Sequence, residues 1–276
     1  MNRATLGSAL RELRKSSGLE AKAVARGAAM SSSKLSKIEN GNTAPSVTDV
    51  DCILTAIGVS EGVKAEFMAV AREAATEVVA WRLVRRLGYS RKQQQVQGVE
   101  AQTTLLRLFQ PALIPGLLQT PEYVRAVFAR ENLGPEQLER TIGARLARQS
   151  VLYSTEKTFR FVITESVLRW RVLPPLMMAG QLDRLVSASR LPGVDIRVVA
   201  LATRQTDFPS HSFCITDDRM VTIEMAHAEI VATDPRDVSL YVEKFERFGA
   251  SSLAGDDMRA LVEAIRNDFL RERETG

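Results

Sequence analysis

The chain has 276 residues, 45% hydrophobic and 25% charged, the balance of a soluble globular protein long enough for about two domains. No run approaches the roughly 18 apolar residues of a membrane-crossing helix, and the N-terminus lacks a signal-peptide core, so a cytoplasmic protein without a membrane partner is expected. The net charge of +4 is unevenly placed: residues 1–40 carry eight Lys or Arg against three Glu.

A first helix is expected over residues 5–16, with Leu6, Leu10 and Leu13 on one stripe, the arginines on the other, and Gly18 ending it. Residues 21–41 read as two short helices joined by a tight turn. Val24, Ala25, Ala28 and Met30 face inward, and Leu35 and Ile38 anchor the second helix to the same core. That leaves Ser32, Ser33, Lys34, Ser36 and Lys37 outward, with no acid before Glu39. Short hydroxyls and cations at a helix N-terminus suit the major groove of DNA, where the positive end of the helix meets phosphate and side chains reach base edges. Lys22, the capping Ser31 and Asn42 flank this face and complete the expected DNA contacts. The bland alternative is a surface helix with a serine cap.

Asn40-Gly41 is a helix stop, because Gly takes the left-handed conformation freely. Ser46 and Asp49 stand in capping-box spacing, with Asp in place of the usual Glu. A fourth helix follows, with Val47, Val50, Ile53, Leu54 and Ile57 at helical spacing and Gly58 closing it. A fifth, over residues 60–73, aligns Val63, Phe67, Val70 and Ala74. Leu6-Gly7 with Leu10-Arg11-Glu12-Leu13-Arg14, and Leu35-Ser36-Lys37-Ile38-Glu39-Asn40-Gly41, resemble the first and recognition helices of the XRE (phage-repressor-like) helix-turn-helix family. The resemblance covers roughly residues 6–58 and implies DNA as partner. The family has Gly in the turn between its two central helices, where this chain has Ala29; a positive φ there costs on the order of 1 kcal/mol.

Residues 77–98 form a basic segment, expected as a linker helix. Arg82, Arg85, Arg86, Arg91 and Lys92 occur without an acid among them, and Trp81, Leu83, Val84 and Leu87 interleave. Packing against a neighbouring domain and a second phosphate contact are both open readings of it. The domain plan is therefore a helix-turn-helix reader over 1–76, this linker, and a larger α+β domain with a small mixed sheet over 99–276.

In that second domain helices are expected over residues 99–109, 121–130, 135–149 and 175–189. Strands at 159–164 and 194–199 should be parallel neighbours, and 213–216 with 220–224 an antiparallel hairpin through Asp217-Asp218. Two helices, 235–248 and 255–271, close the chain. Ile114-Pro115-Gly116-Leu117-Leu118-Gln119-Thr120-Pro121-Glu122-Tyr123, Ala144-Arg145-Leu146-Ala147-Arg148-Gln149 and Gln181-Leu182-Asp183-Arg184-Leu185 resemble the C-terminal domain of the WhiJ-like actinobacterial regulators. That likeness implies a transcription factor with an antitoxin-like or developmental role and a small partner protein. Residues 203–212 depart from the family, with Phe208-Pro209-Ser210-His211 in place of a glycine-containing loop.

An effector or partner surface is expected at Pro115, Leu117, Leu118, Gln119, Tyr123 and His211; for the leucines, plain core is the competing reading. An enzyme would draw on His211, Cys214, Asp217, Asp218, Glu224, His227 and Glu229. The spacings supply no complete zinc set, phosphate loop or nucleophile elbow. Cys52 and Cys214 sit apart in apolar runs and read as small buried hydrophobes. No cofactor, metal or catalytic residue is expected. The reading is a homodimeric, sequence-specific DNA-binding regulator with a C-terminal sensing and dimerisation domain; the alternative is an enzyme acting on a small molecule through that domain. Convergence of His211, Cys214 and Glu224 in one cleft would favour the enzyme.

Overall fold

The computed structural model describes residues 3–81, 84 and 88–275. Two compact units divide the chain, one of residues 1–78 with 230–239 and the other of 79–229 with 240–276.

The first unit carries five helices, α1 (Arg3–Ser16), α2 (Ala21–Gly27), α3 (Ser32–Glu39), α4 (Val47–Ile57) and α5 (Glu61–Ala75). Leucine spacing puts Leu6 and Leu10 of α1 into one core with Val24 and Ala25 of α2, Leu35 and Ile38 of α3, and Val50, Ile53 and Leu54 of α4, all at most 1% exposed. The capping box forms as spaced: Ser46 Oγ accepts from the Asp49 amide at 3.0 Å and the Asp49 carboxylate accepts from the Ser46 amide at 3.1 Å. Gly58 ends α4 in the left-handed conformation. On α5 the buried stripe is Met68 and Ala71, with Phe67 and Val70 flanking it.

The second unit is built on a mixed sheet, flanked in the chain by β1 (Thr76–Ala80), α6 (Tyr89–Gln102), α7 (Pro121–Ala129), α8 (Pro135–Arg148), α9 (Glu165–Arg169) and α10 (Pro175–Ala188). Its strands are β2 (Leu105–Gln110), β3 (Thr158–Thr164), β4 (Val194–Val199), β5 (Phe213–Thr216) and β6 (Met220–Glu224), ordered β6-β5-β2-β3-β4. β2, β3 and β4 are parallel, and β5 pairs antiparallel with β2 and β6. β7 (Ala228–Ala232), α11 (Pro235–Ala250) and α12 (Gly255–Thr275) follow.

The register gives each sheet face one cross-strand row, since successive side chains alternate. Thr222, Cys214, Leu108, Phe161 and Ile196 form one row. Its apolar members meet Met178, Leu182 and Leu185 of α10 and Met258, Val262 and Ile265 of α12 in the larger core. On the opposite face Phe109 stacks on Phe248 of α11 at 4.2 Å and on Phe213 at 5.3 Å. The α+β architecture and the paired strands agree with the sequence reading.

Three local expectations are corrected. Residues 76–80 are strand, in keeping with the β-branched Thr76, Val78 and Val79. The helix expected over 99–109 is instead the end of α6 followed by β2. At its end Lys157 Nζ donates to the carbonyls of Glu100, Ala101 and Thr103, at 3.0, 2.8 and 2.6 Å, satisfying acceptors that the helix terminus leaves open. The basic stretch is thus not one linker helix, since Lys92 and Gln93 belong to α6. Arg82, Leu83, Arg85, Arg86 and Leu87 lie outside the described residues.

Candidate functional site

The turn between α2 and α3 takes its shape from the C-terminus of α2. Ala29 stands at φ +52°. The Met30 amide donates to the Ala25 carbonyl at 2.9 Å and the Ala29 amide to the Arg26 carbonyl at 3.2 Å, the paired bonds of a Schellman ending with alanine where glycine is usual. Ser31 then caps α3, its hydroxyl accepting from the Lys34 amide at 3.1 Å. A second Schellman pair closes α3, from the Asn42 amide to the Lys37 carbonyl and from the Gly41 amide to the Ile38 carbonyl, with Gly41 at φ +73°. Turn, cap and stop together fix where α3 begins, ends and points.

Two features invisible to periodicity hold α3 on α1. Arg14 Nε and Nη2 donate to the Glu39 carboxylate at 2.6 and 2.8 Å. Gly7 lets the helices touch: a Cβ there would lie 2.2 Å from the Ile38 carbonyl oxygen. Only the sign of each charge was legible beforehand, not their meeting.

Leu35 and Ile38 are fully buried while Ser32, Ser33, Ser36 and Lys37 are exposed, as are Lys22, Ser31 and Asn42. Among the described residues the Lys37 ammonium has no side-chain partner. Lys34 differs: its Nζ sits 2.7 Å from Asp49 Oδ1, so its charge is already answered within the unit. Ser36 Oγ also accepts from Asn40 Nδ2 at 3.3 Å.

The expected apolar pocket of the second unit is a filled core. Leu117, Leu118 and Tyr123 are at most 4% exposed, and Pro115 is buried too. The Tyr123 hydroxyl accepts from the Ile114 amide at 3.2 Å, and Gln119 Nε2 donates to the Ile114 carbonyl at 2.6 Å. Burial raises the Tyr123 phenol above its ordinary range. These residues brace a loop between two prolines instead of presenting it. His211 lies with Phe213 and Tyr241, its Nε2 2.9 Å from the Tyr241 hydroxyl. Burial, then the charge of Lys244, lowers its pKa.

Cys214 belongs to the opposite sheet face from Phe213, so His211, Cys214 and Glu224 are not brought together. Among the described residues no group of three or more His, Cys, Asp or Glu is arranged to hold a metal. Asp217 and Asp218 build the hairpin turn, both at positive φ; Asp217 accepts from the Thr104 and Leu105 amides, and Asp218 pairs with Arg107 at 2.6 Å.

Glu224 and Cys214, from β6 and β5, instead share a face with charges from α6 and α8. Arg148 is buried and donates to Glu100 at 3.0 and 2.5 Å and to Gln93. One turn earlier, the Arg145 guanidinium lies 4.5 Å over the Phe128 ring and donates to Gln93 at 3.3 Å and Gln119 at 3.2 Å. Lys92 pairs with Glu229 and lies 6.0 Å over the Trp81 ring, whose indole donates to the Met225 carbonyl at 2.7 Å. Burial, then the neighbouring Arg148 charge, pushes the Arg145 pKa down to about 10. Burial pushes the Cys214 thiol up to about 12. Yet Glu224 is exposed, and Arg145 and Cys214 keep part of their surface. No period or motif announced these paired charges, because their residues come from separated elements.

Residues 5–67 match the helix-turn-helix domain family HTH_31, and with α1–α5 in place the N-terminal unit carries a helix-turn-helix domain. Residues 93–264, more than half the chain, match DUF5753, a domain of unknown function, and the protein belongs to that family. A comparison with curated proteins found no match. Among solved structures the chain is similar to Nuc, a phospholipase D family member from Salmonella typhimurium, at 12% identity and a TM-score of 0.37, covering 65% of this chain and 97% of that one. It is also similar to TrmBL2, an archaeal chromatin protein, at 12% identity and a TM-score of 0.33, covering 66% of this chain and 53% of that one. Likeness at that level establishes no shared activity. No helix among the described residues is long and apolar enough to cross a membrane.

Proposed function

We propose that the protein is a sequence-specific DNA-binding transcriptional regulator of the XRE type, acting in the cytoplasm as a homodimer. The observation that carries this reading is the face of α3. Ser32, Ser33, Ser36 and Lys37 stand outward over buried Leu35 and Ile38, at the end of the helix whose dipole attracts phosphate. The cationic excess of residues 1–40 supports it, because phosphate neutralisation draws on Lys and Arg. One short helix reads only a few base pairs, so a two-fold dimer on a palindrome supplies the needed selectivity.

In this reading residues 99–276 are a sensing and dimerisation module, WhiJ-like and antitoxin-like in kind, which binds an effector or a small partner protein and performs no catalysis. Its ligand shifts operator binding only by its differential affinity for the DNA-competent and incompetent states. The test is selection of preferred duplexes from a random pool, then titration of the selected and a scrambled duplex at several salt concentrations, with light scattering for stoichiometry. A preferred palindrome bound by a dimer supports the proposal. Equal affinity for both duplexes overturns it.

A further inference from the structure

β3 and β4 are parallel neighbours whose ends pair, Thr164 with Val199, so the segments that leave them run out side by side. The Glu165 carboxylate ties the two segments together, accepting from the Leu201 amide at 2.8 Å and from Arg169 Nε at 2.7 Å. Large apolar side chains meet water here. Trp170, Val172, Leu176, Met177 and Leu201 are 40–68% exposed, although Val167, Leu168 and Met178 of the same stretch lie in the core. The display is on the order of 500 Å², comparable to the largest apolar patch of an ordinary monomer and more than half of the roughly 800 Å² that each partner gives to a standard interface.

The backbone beneath these side chains is fixed. The Val172 amide donates to the Trp170 carbonyl at 3.0 Å, and the Met177 and Met178 amides both donate to the Pro174 carbonyl at 3.0 Å. Pro174 and Pro175 set two successive φ angles. A partner meeting this face therefore has little loose chain to order. The only charged residues between 169 and 177 are Arg169 and Arg171, and both are answered inside the protein. Arg169 pairs with Glu165 and Asp268. Arg171 donates twice to Glu272, at 2.7 and 2.6 Å, and lies 6.0 Å over the Phe269 ring. Trp, Met and paired Arg are the residues of an interface centre.

A two-fold contact sets one patch against its own copy, so a face with an unanswered charge repels itself. Here the arginine charges are cancelled within each protomer. We propose that the face formed by Trp170, Val172, Leu176, Met177 and Leu201 is a two-fold interface, covered by the same face of a second copy of this chain. It rests on the homodimer proposed above and names the surface that makes it.

The test is sedimentation equilibrium of the full-length protein without DNA, across a wide concentration range. Leu176→Glu and Leu176→Lys, both at an exposed position, should each weaken self-association about tenfold or more, because like charges are brought together. An equal mixture of the two variants should associate again, since opposite charges then meet. The same two changes at Leu201 repeat the test if circular dichroism shows that either change at Leu176 disturbs the fold. A dimer whose association is unchanged by all four substitutions overturns this face and leaves the homodimer standing. A mixture no tighter than its components overturns the meeting of the face with itself. A wild-type protein that stays monomeric throughout overturns both the interface and the homodimer, and leaves the face to a different protein.

Discussion

Arg14 of α1 grips Glu39 of α3 with two parallel hydrogen bonds, and both side chains are almost withdrawn from solvent, at 12% and 6% exposure. The recognition helix is therefore held from its C-terminal end by a fork-to-carboxylate contact. Glu39→Ala leaves a guanidinium buried without its counter-charge and should cost about 3 kcal/mol. Replacing both partners, Arg14→Met with Glu39→Leu, should recover most of that, since no orphan remains. Urea denaturation followed by circular dichroism reads both. A loss under about 1 kcal/mol in the single variant would place the pair among ordinary surface bridges.

Ala29 offers a change in the opposite direction. An alanine at φ +52° carries a steric cost on the order of 1 kcal/mol that glycine avoids. Against it stands the extra freedom glycine adds to the unfolded chain. Ala29→Gly should raise stability by about 0.5 kcal/mol, seen as a higher urea midpoint with unchanged slope. A lower midpoint would mean the alanine is unstrained.

Lys34 and Lys37 lie three positions apart on one helix, yet among the described residues only Lys34 is paired, to Asp49. On the selected duplex, Lys37→Ala should cost about 1–3 kcal/mol and lower the ratio of selected to scrambled affinity. Lys34→Ala should cost less and leave that ratio intact. Equal losses on both duplexes for Lys37→Ala would make it a phosphate contact.

Asp49 supplies the pH dependence. Burial pushes its carboxyl up, but the Lys34 ammonium and the Ser46 cap outweigh that and hold it below its ordinary value. The unfolded chain therefore takes the proton first as pH falls. The stabilisation is whole above the unfolded value and drains away below about pH 4. Asp49→Asn should flatten the fall of melting temperature between neutral pH and about pH 3 without abolishing it, because Asp207, Asp217, Asp234 and Glu246 are lowered too. An unchanged profile would remove Asp49 from the acid response.

The N-terminal unit was legible because its signals are local: leucine spacing, the Ser46–Asp49 box, and Asn40-Gly41 at a helix end. The β5–β6 hairpin was legible for the same reason. β2 was not, because a central strand covered on both faces reads Leu-Leu-Arg-Leu-Phe, an apolar run that periodicity does not separate from a helix. The Ile114–Tyr123 run was conspicuous for its prolines and leucines, and these turned out to serve packing. The buried Arg148–Glu100 pair escaped notice because each residue is unremarkable in its own segment, and only the packing of α6 on α8 brings them together.

The position of β2 also orders events during synthesis. Its neighbours on either side are residues 158–163 and 213–216, so this interior strand emerges from the ribosome long before either ladder can close. The helical core drawn from residues 6–71 has its contacts near in sequence and is able to consolidate first. Until residue 163 is made, Leu106, Leu108 and Phe109 wait without partners, and the second ladder waits until residue 216. That interval, more than the finished fold, is where a nascent chain of this protein is exposed to aggregation.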